Sequence, residues 1–207
     1  MAGLLLLLAA LAMTGPDEAT RLPPVEQCAA EPGFETFRSR LRQVVANKDE
    51  AGLLAMLSDD IEVNFGGDHG PRLFAANWKF DEPGDSRVWT ELEEALRFGC
   101  TPTGDALIAP SFSAQFPDEL DPFETVIAPP ETRLRAAPAD NARTLADLDW
   151  HLLSVSEWTD PAWIPAKLRD GRQGFVRRNQ VINPLDYRLV FEKRAGEWMI
   201  TAFVAGD

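Results

Sequence analysis

The sequence predicts an α+β protein, in which a mainly helical N-terminal domain is followed by a small β-barrel and a C-terminal β-hairpin. Three observations support this fold class. Apolar residues recur at helical spacing through much of the first hundred residues. Short β-prone runs, separated by turn signals about every 8–12 residues, fill the region from 123 to 184. Two runs of alternating apolar and polar residues then close the chain, and this alternation is typical of paired strands.

The 207 residues are expected to divide into four segments. Residues 1–20 are predicted to be a signal peptide and lead-in, and residues 28–120 a mainly helical α+β domain. Residues 123–184 are predicted to form the barrel, and residues 185–207 a β-hairpin that packs on one of the two domains. A chain of this length accommodates one or two domains, and its hydrophobic fraction of 45% is sufficient for a core.

An apolar run near the N-terminus indicates export. The run from Leu4 to Leu11 is too short to cross a bilayer but fits the hydrophobic region of a signal peptide. Ala10 and Ala12 form a small-x-small pattern suited to cleavage. We therefore predict a periplasmic or secreted protein without a membrane span. The alternative is a core helix that ends at Gly15-Pro16.

The charge balance limits the choice of partner. Twenty basic residues against 33 acidic ones leave a formal net charge of −13 at pH 7. Such a protein is repelled by nucleic acids and by anionic membrane surfaces, so neither is predicted as a partner. The same charge is compatible with two interpretations: an acidic, well-solvated surface, or an inhibitor or adapter of a cationic envelope enzyme.

The predicted helices have recognisable ends. The first helix carries apolar side chains at helical spacing: Phe34, Phe37, Leu41, Val44 and Val45. Asp49 is expected to cap a second helix, which ends at Ser58-Asp59-Asp60. The run from Ile61 to Phe65 alternates as a strand does, and Gly99 ends a further helix. The proline-punctuated stretch from Leu107 to Phe123 is predicted to be an irregular linker.

The region after residue 131 resembles the bacterial SH3 (SH3b) family. The resemblance rests on the opening Thr132 to Pro138, on Trp163, and on the sequence Asp170-Gly171-Arg172-Gln173-Gly174-Phe175-Val176. Asp-Gly between β-prone runs is also a hairpin signal in its own right, and Gly174 suits a bulge or a close backbone approach. The resemblance implies that the barrel is SH3-like.

A wider resemblance covers the whole chain. The runs Phe65 to Asp68, Trp89 to Leu92, Phe98 to Cys100 and Phe203 to Asp207 resemble those of an exported proteobacterial SH3-domain family without an assigned role. This resemblance implies location and layout but no activity. In addition, the helices, strand and closing hairpin outside the barrel loosely resemble nuclear-transport-factor-2-like domains. In that alternative the barrel is inserted and the hairpin returns to the first domain's sheet, whereas we favour a hairpin appended after the barrel.

The two cysteines, Cys28 and Cys100, are predicted to form a disulfide if the protein is exported. The bond would close a loop of about 70 residues and remove roughly 4 kcal/mol of unfolded-state entropy. The alternative is a pair of buried free thiols.

Three residues are the predicted ligand contacts. Trp158 and Asp160 lie in a loop of the SH3-like module, and Tyr187 follows it. In such barrels, loops beside the groove present aromatic and acidic side chains to peptides. For Asp160, the simpler interpretation is a turn-forming residue.

The sequence offers little for catalysis. No metal-ligand spacing, nucleophile elbow or phosphate loop is present, so we predict no metal, no cofactor and no enzymatic activity. Asp68 and His69 in a glycine-rich loop could instead line an enzymatic pocket. The favoured interpretation is an exported, SH3-like binding protein whose partner is an envelope protein or cell-wall peptide.

Overall fold

The computed structural model of the chain describes residues 21–82, 86–156 and 160–206. The predicted signal peptide lies outside these residues and stays a prediction. Within them, the protein is mostly β-structure, arranged as one five-stranded and one six-stranded sheet. No helix in these three ranges is both long enough and apolar enough to cross a membrane.

The helices are short and lie mainly in the first half of the chain. They are α1 Phe34–Asn47, α2 Glu50–Leu54, α3 Pro71–Asn77, α4 Val88–Arg97 and α5 Phe112–Gln115. The strands are β1 Leu57–Glu62, β2 Thr101–Thr103, β3 Ala106–Ala109, β4 Thr125–Ala128, β5 Arg133–Arg135, β6 Thr144–Asp147, β7 His151–Val155, β8 Trp163–Lys167, β9 Gln173–Arg177, β10 Arg188–Arg194 and β11 Glu197–Val204. Single 3₁₀ turns occupy Cys28–Ala30, Pro122–Glu124 and Arg178–Gln180.

The five-stranded sheet has the order β1-β11-β10-β3-β2, so its central strands come from the end of the chain. β10 and β11 form the predicted hairpin, joined by Ala195 and Gly196, which both have positive φ. β11 pairs in parallel with β1, and β10 pairs antiparallel with β3. The hairpin therefore links strands that are far apart in sequence.

The predicted fold class is wrong. We expected a mainly helical N-terminal domain, an SH3-like barrel and an appended hairpin, but the N-terminal helices pack on a sheet that the hairpin completes. The helical periodicity was read correctly for α1 and α4. The error concerns pairing: a hairpin pattern shows which residues alternate but not which distant strand they pair with. The connectivity is that of the alternative, in which the hairpin returns to the first sheet.

Two local expectations also need correction. Ser58, expected near a helix end, lies inside β1, where Leu57 and Ser58 are both buried. Strand β3 occupies the start of the stretch expected to be an irregular linker. Strands this short carry little periodic signal, and their pairing with a distant hairpin stabilises them.

The six-stranded sheet has the order β4-β7-β8-β9-β5-β6, with antiparallel neighbours. The predicted turn at Asp170-Gly171 joins β8 to β9, and Gly171 has a φ of 94°. A Cβ on Gly174 would lie 2.4 Å from the carbonyl oxygen of Arg135, so the predicted close backbone approach is present. This contact brings β9 and β5 together at the register pair Arg135–Phe175.

The predicted disulfide between Cys28 and Cys100 is confirmed, with a Cα–Cα distance of 5.5 Å. It holds residues 21–27, which we call the N-terminal strap, against the start of β2. At its other end the strap reaches the second sheet: the N–H of Leu22 donates to the carbonyl of Trp150 at 2.8 Å. The strap therefore contacts both sheets.

Three apolar clusters support this arrangement. The first packs the helices on the five-stranded sheet, where Phe34 lies 5.1 Å from Phe191 and 5.2 Å from Trp198 between ring centroids. The second fills the six-stranded sheet. The third lies between the sheets and contains Leu22, Phe112, Ile127 and Leu152. The open space beside this third cluster is the main candidate site.

Candidate functional site: a cleft between the sheets

A cleft of about 860 Å³ opens where α4 faces the loops of the six-stranded sheet. This volume is within the range of small-molecule binding pockets. Its walls carry aromatic rings, acidic side chains and several prolines. The lining residues are Pro24, Glu91, Glu94, Ala95, Arg97, Phe98, Pro110, Phe112, Pro129, Pro130, Glu131, Thr132, Trp150, Asn179, Gln180, Val181, Ile182, Asp186 and Tyr187.

The α4 wall is acidic because of helix geometry. Glu91 and Glu94 are three residues apart on α4, so they lie on neighbouring positions of one face. Arg97 pairs with Glu94 at 3.4 Å, and its guanidinium lies 5.0 Å from the centroid of the Phe98 ring. Arg87 pairs with Glu91 at 2.5 Å from outside the cleft lining. The opposite face of α4 is buried in the first core.

The facing wall contains two residues with unusual backbone conformation. Glu131 has a φ of 74° and Trp150 a φ of 54°. Positive φ is uncommon for residues other than glycine and costs about 1 kcal/mol or more. The strap holds Trp150 through the hydrogen bond from Leu22, and its ring meets Phe98 edge to face at 5.7 Å. Such conformations concentrate at functional sites, and both of these border the cleft.

Asp186 and Tyr187, just before β10, both line the cleft. The Tyr187 ring packs against Trp78 and Phe203, each at 4.9 Å between centroids. Burial raises the pKa of its hydroxyl above the usual range, and the charge of Glu91 adds to this effect. The ring is thus anchored in the first core, while its edge remains part of the cleft wall.

Asp186 is the most electrostatically unusual carboxylate of the cleft. Surrounding protein reduces its hydration although water still reaches it, and this desolvation raises its pKa. The charges of Glu91 and Glu94 raise the pKa further. One compensating contact is the N–H of Asn183, which donates to its Oδ2 at 3.3 Å. The ionised carboxylate is therefore stabilised less by its surroundings than it would be by bulk water.

The remaining polar groups of the cleft suit hydrogen bonding. Asn179 and Gln180 are exposed at its edge, in the 3₁₀ turn after β9. The hydroxyl of buried Thr132 donates to the carbonyl of Gln180 at 3.0 Å and so holds this turn against the β4–β5 loop. Carboxamides can donate to and accept from peptide groups, so this edge could pair with an extended backbone.

The described part of the cleft offers few groups for catalysis or metal binding. Within residues 21–82, 86–156 and 160–206, no three histidine, cysteine or acidic side chains lie close enough to hold a metal ion. The cleft lining, as far as the structure describes it, contains no histidine, cysteine, serine or lysine. Asp186, with its raised pKa, is the group best placed for proton transfer.

Of the three predicted ligand contacts, the structure describes Asp160 and Tyr187, and it does not bring these two together. Tyr187 lines the cleft. Asp160 lies elsewhere, where its Oδ1 accepts from the N–H groups of Ala162 and Trp163 at 2.7 and 2.9 Å. These two bonds, the first above all, lower the pKa of Asp160, as in a turn-forming residue. Trp158 lies outside the described residues. The ligand role of all three stays a prediction.

Asp68 and His69 form a surface turn rather than part of the cleft. Both are exposed, and neither lines the cleft. His69 Nδ1 lies 3.1 Å from the carbonyl oxygen of Gly67, while Asp68 accepts from the side chain of Asn64 at 2.9 Å. The geometry of this loop gives no support to an enzymatic dyad.

Sequence reasoning missed most of the cleft. Glu91 and Glu94 were readable as one helix face, but nothing local indicated that this face meets another sheet. Trp150, in the polar turn before β7, was the clearest overlooked signal, since a large ring in a turn needs a contact elsewhere. Glu131 and Asp186 resemble ordinary loop acids in sequence. Their significance depends on the long-range approach of the two sheets.

Comparison with known proteins yields no family assignment. No protein-family model matches the chain, and no curated protein matches it. One solved structure that is similar, with a name beginning Rd1NTF2_05, is 12% identical, with 84% of this chain and 96% of that chain covered and a TM-score of 0.32. Another is a protein from Shewanella frigidimarina provisionally named a ketosteroid isomerase. It is also 12% identical, with 85% and 96% covered and a TM-score of 0.31. Similarities this weak carry no argument about fold or function.

The resemblance to exported bacterial SH3 proteins is wrong. No family model matches the chain, so none supports that resemblance. Asp-Gly turns, a strand-leading tryptophan and an x-Leu-Arg opening are short patterns, and an Asp-Gly turn is common in any antiparallel hairpin. In residues 131–184 these patterns lie in consecutive antiparallel strand pairs.

Proposed function

We propose that this protein is a non-enzymatic binding protein that acts outside the cytoplasm and holds part of a peptide in the cleft between its sheets. The observation that carries the proposal is the composition of the cleft. Rings of Phe98, Trp150 and Tyr187 and the amides of Asn179 and Gln180 border one space of about 860 Å³. Rigid aromatic rings offer contact area at low entropic cost, and amides can pair with a peptide backbone.

The disulfide supports the extracytoplasmic part of the proposal. Such bonds persist in oxidising compartments and are rare in the cytosol. The bond between Cys28 and Cys100 is fully buried, as expected of a structural crosslink. No contact or distance in the cleft favours the acidic adapter or the enzyme at Asp68 and His69.

The test is selection of ligands from a random peptide library, followed by calorimetric titration of the peptides retained. Trp150→Ala is expected to weaken binding at least about tenfold, because a large ring at the centre of a binding site is a typical hot spot. The matched control is Phe123→Ala, since Phe123 is 60% exposed and does not line the cleft. An unchanged thermal unfolding curve would show that both variants are folded.

Three results would separate the outcomes. Peptides that bind wild type and Phe123→Ala equally but lose affinity for Trp150→Ala support the proposal. Peptides that perturb NMR signals around Asp160 rather than the cleft would move the site to that loop. Retention on purified peptidoglycan, with no peptide selected, would assign the ligand to the cell wall.

A further inference from the structure

The charges that line the cleft are unbalanced. Four carboxylates, from Glu91, Glu94, Glu131 and Asp186, face one guanidinium, from Arg97. Arg97 is already paired with Glu94 and stacked on a ring. The cleft therefore carries a local excess of negative charge that its own cation does not neutralise.

Among the described residues, two of these carboxylates have no cation of their own. Within the described part of the chain, neither Glu131 nor Asp186 forms an ion pair. Asp186 is exposed, but nearby protein raises its pKa, and the charges of Glu91 and Glu94 on α4, which have the same sign, raise the pKa further. A carboxylate with like charges beside it and no counter-charge is unfavourable, and a cation brought by a ligand would relieve this cost.

Apolar surface lies in the same space as these acids. The rings of Phe98, Trp150 and Tyr187 line the same cleft as Asp186. Lysine and arginine have long aliphatic stems that pack on such rings while the cationic head stays polar. A cation close to a ring face is also attracted by the ring quadrupole, by about 0.5–2 kcal/mol. The combination fits an organic cation better than a metal ion, for which no three-residue cage exists among the described residues.

We propose that the cleft selects a lysine or arginine side chain of the bound peptide, with the cationic head against Asp186 and the stem along the three rings. This inference rests on the proposed function and adds the chemistry of the side chain recognised. Glu131 contributes to the field around the head, whereas Glu91 and Glu94 are partly neutralised by Arg87 and Arg97.

The experiment uses four capped pentapeptides of the form Gly-Ala-X-Ala-Gly and an NMR titration of the full chain. X is lysine, arginine, norleucine or glutamate. Norleucine keeps an aliphatic stem like that of lysine but has no charge. We expect the lysine and arginine peptides to bind at least about tenfold more tightly than the norleucine peptide, and the glutamate peptide to bind least. n-Butylamine is titrated in parallel, to distinguish a peptide from a free amine.

Asp186→Asn tests directly whether Asp186 binds the cationic head of the ligand. This variant is expected to reduce the lysine-to-norleucine preference to about one. Asp105→Asn should keep the preference, because Asp105 is an exposed carboxylate in the β2–β3 turn and outside the cleft lining. Wild-type affinity for the lysine peptide should also fall as pH is lowered and Asp186 becomes protonated, and this fall should be smaller in Asp186→Asn.

The outcomes separate this inference from the proposed function. Equal affinity for the lysine and norleucine peptides would overturn the cationic preference and leave peptide binding in place. Binding of n-butylamine as tight as that of the lysine peptide would make a free amine the ligand. No binding of any of the four peptides would overturn both proposals. A preference that survives in Asp186→Asn would exclude Asp186 as the anchor.

Discussion

Gly99 lies where the N-terminal strap crosses the chain just before β2. Its φ of 71° favours glycine, and a Cβ there would lie 2.0 Å from the carbonyl oxygen of Val25. The N–H of Cys100, next in sequence, donates to the same carbonyl at 3.0 Å. The absence of a side chain at one position therefore allows the strap to pair with β2 and the disulfide to form.

Gly99→Ala should destabilise the fold by about 2–5 kcal/mol. The left-handed conformation of an alanine at this position costs roughly 1–2 kcal/mol. Displacement of the strap backbone at Val25 by the new Cβ costs roughly a further 1–3 kcal/mol. Gly104→Ala is the matched control, because Gly104 also has a positive φ, 59°, but has no heavy atom within 4 Å of a built Cβ. It should cost only about 1–2 kcal/mol. Urea unfolding measures both variants, and equal losses would contradict the close approach at Gly99.

Asp186→Asn should raise stability at neutral pH. The pKa of Asp186 is higher in the folded protein than in the unfolded chain, so the native state binds more protons between those two values. Ionised Asp186 therefore destabilises the fold, and this loss of stability develops as pH rises through the folded pKa. Below the unfolded pKa of about 3.9 the carboxyl is protonated in both states and no stability is lost. The difference in melting temperature between variant and wild type should be positive at pH 7.5 and vanish near pH 3. A constant difference across this range would exclude the titration of Asp186 as its cause.

At the scale of elements, the strap is the connection that local sequence describes least well. Residues 21–27 form no helix or extended strand, yet they pair with the start of β2 and with β7. Buried Arg38 of α1 holds the strap near the disulfide through an ion pair with Glu26. The strap also contributes Pro24 to the cleft. Loss of the disulfide that holds the strap is therefore expected to affect both the stability of the fold and the cleft.

Removal of the disulfide should cost about 4 kcal/mol. The two cysteines are 72 residues apart, and a crosslink over that distance removes roughly this much unfolded-state entropy in the chain-entropy model. The double variant Cys28→Ala/Cys100→Ala is measured by urea unfolding, with the oxidised wild type as reference. Amide exchange at Leu22 and Val25 should quicken by more than exchange in the six-stranded sheet. Equal acceleration everywhere would mean that the strap is not the element the bond secures.

At the scale of the molecule, the last strands close the structure. β11 and β10 lie in the middle of the five-stranded sheet, between β1 and β3. Phe191, Ile200 and Phe203 supply fully or almost fully buried side chains to the core of the N-terminal helices. The first sheet is thus complete only once residues 188–204 are present, and these strands give it many contacts between distant residues.

A chain that ends at Pro184 should therefore lose the fold of the first sheet. Without β10 and β11, β1 has no partner and the apolar faces of α1 and α4 lose their support. Near-ultraviolet circular dichroism should show loss of the tertiary signal of Trp78 and Trp89. An N-terminal part that remains natively folded would contradict the central position of the hairpin.

The sequence predicted individual elements better than their assembly. Helical spacing indicated α1, and the capping side chain of Asp49 accepts from the N–H of Gly52 at 2.9 Å, as expected. The Asp-Gly and Ala-Gly turns and the Cys28–Cys100 pair were also readable. These features depend on residues close in sequence or, for the cysteines, on there being one pairing to make.

The tertiary structure alone decided which distant segments meet. Hydrophobic alternation specifies the buried face of a strand but not its neighbour, so the return of β10 and β11 to the first sheet could not be read from the pattern. The same holds for the cleft: Glu91, Glu131, Trp150 and Asp186 are unremarkable apart and become a site when α4 faces the second sheet. Local chemistry is encoded by neighbours in the chain, whereas the proximity that changes a pKa or forms a cavity arises from packing over long sequence distances.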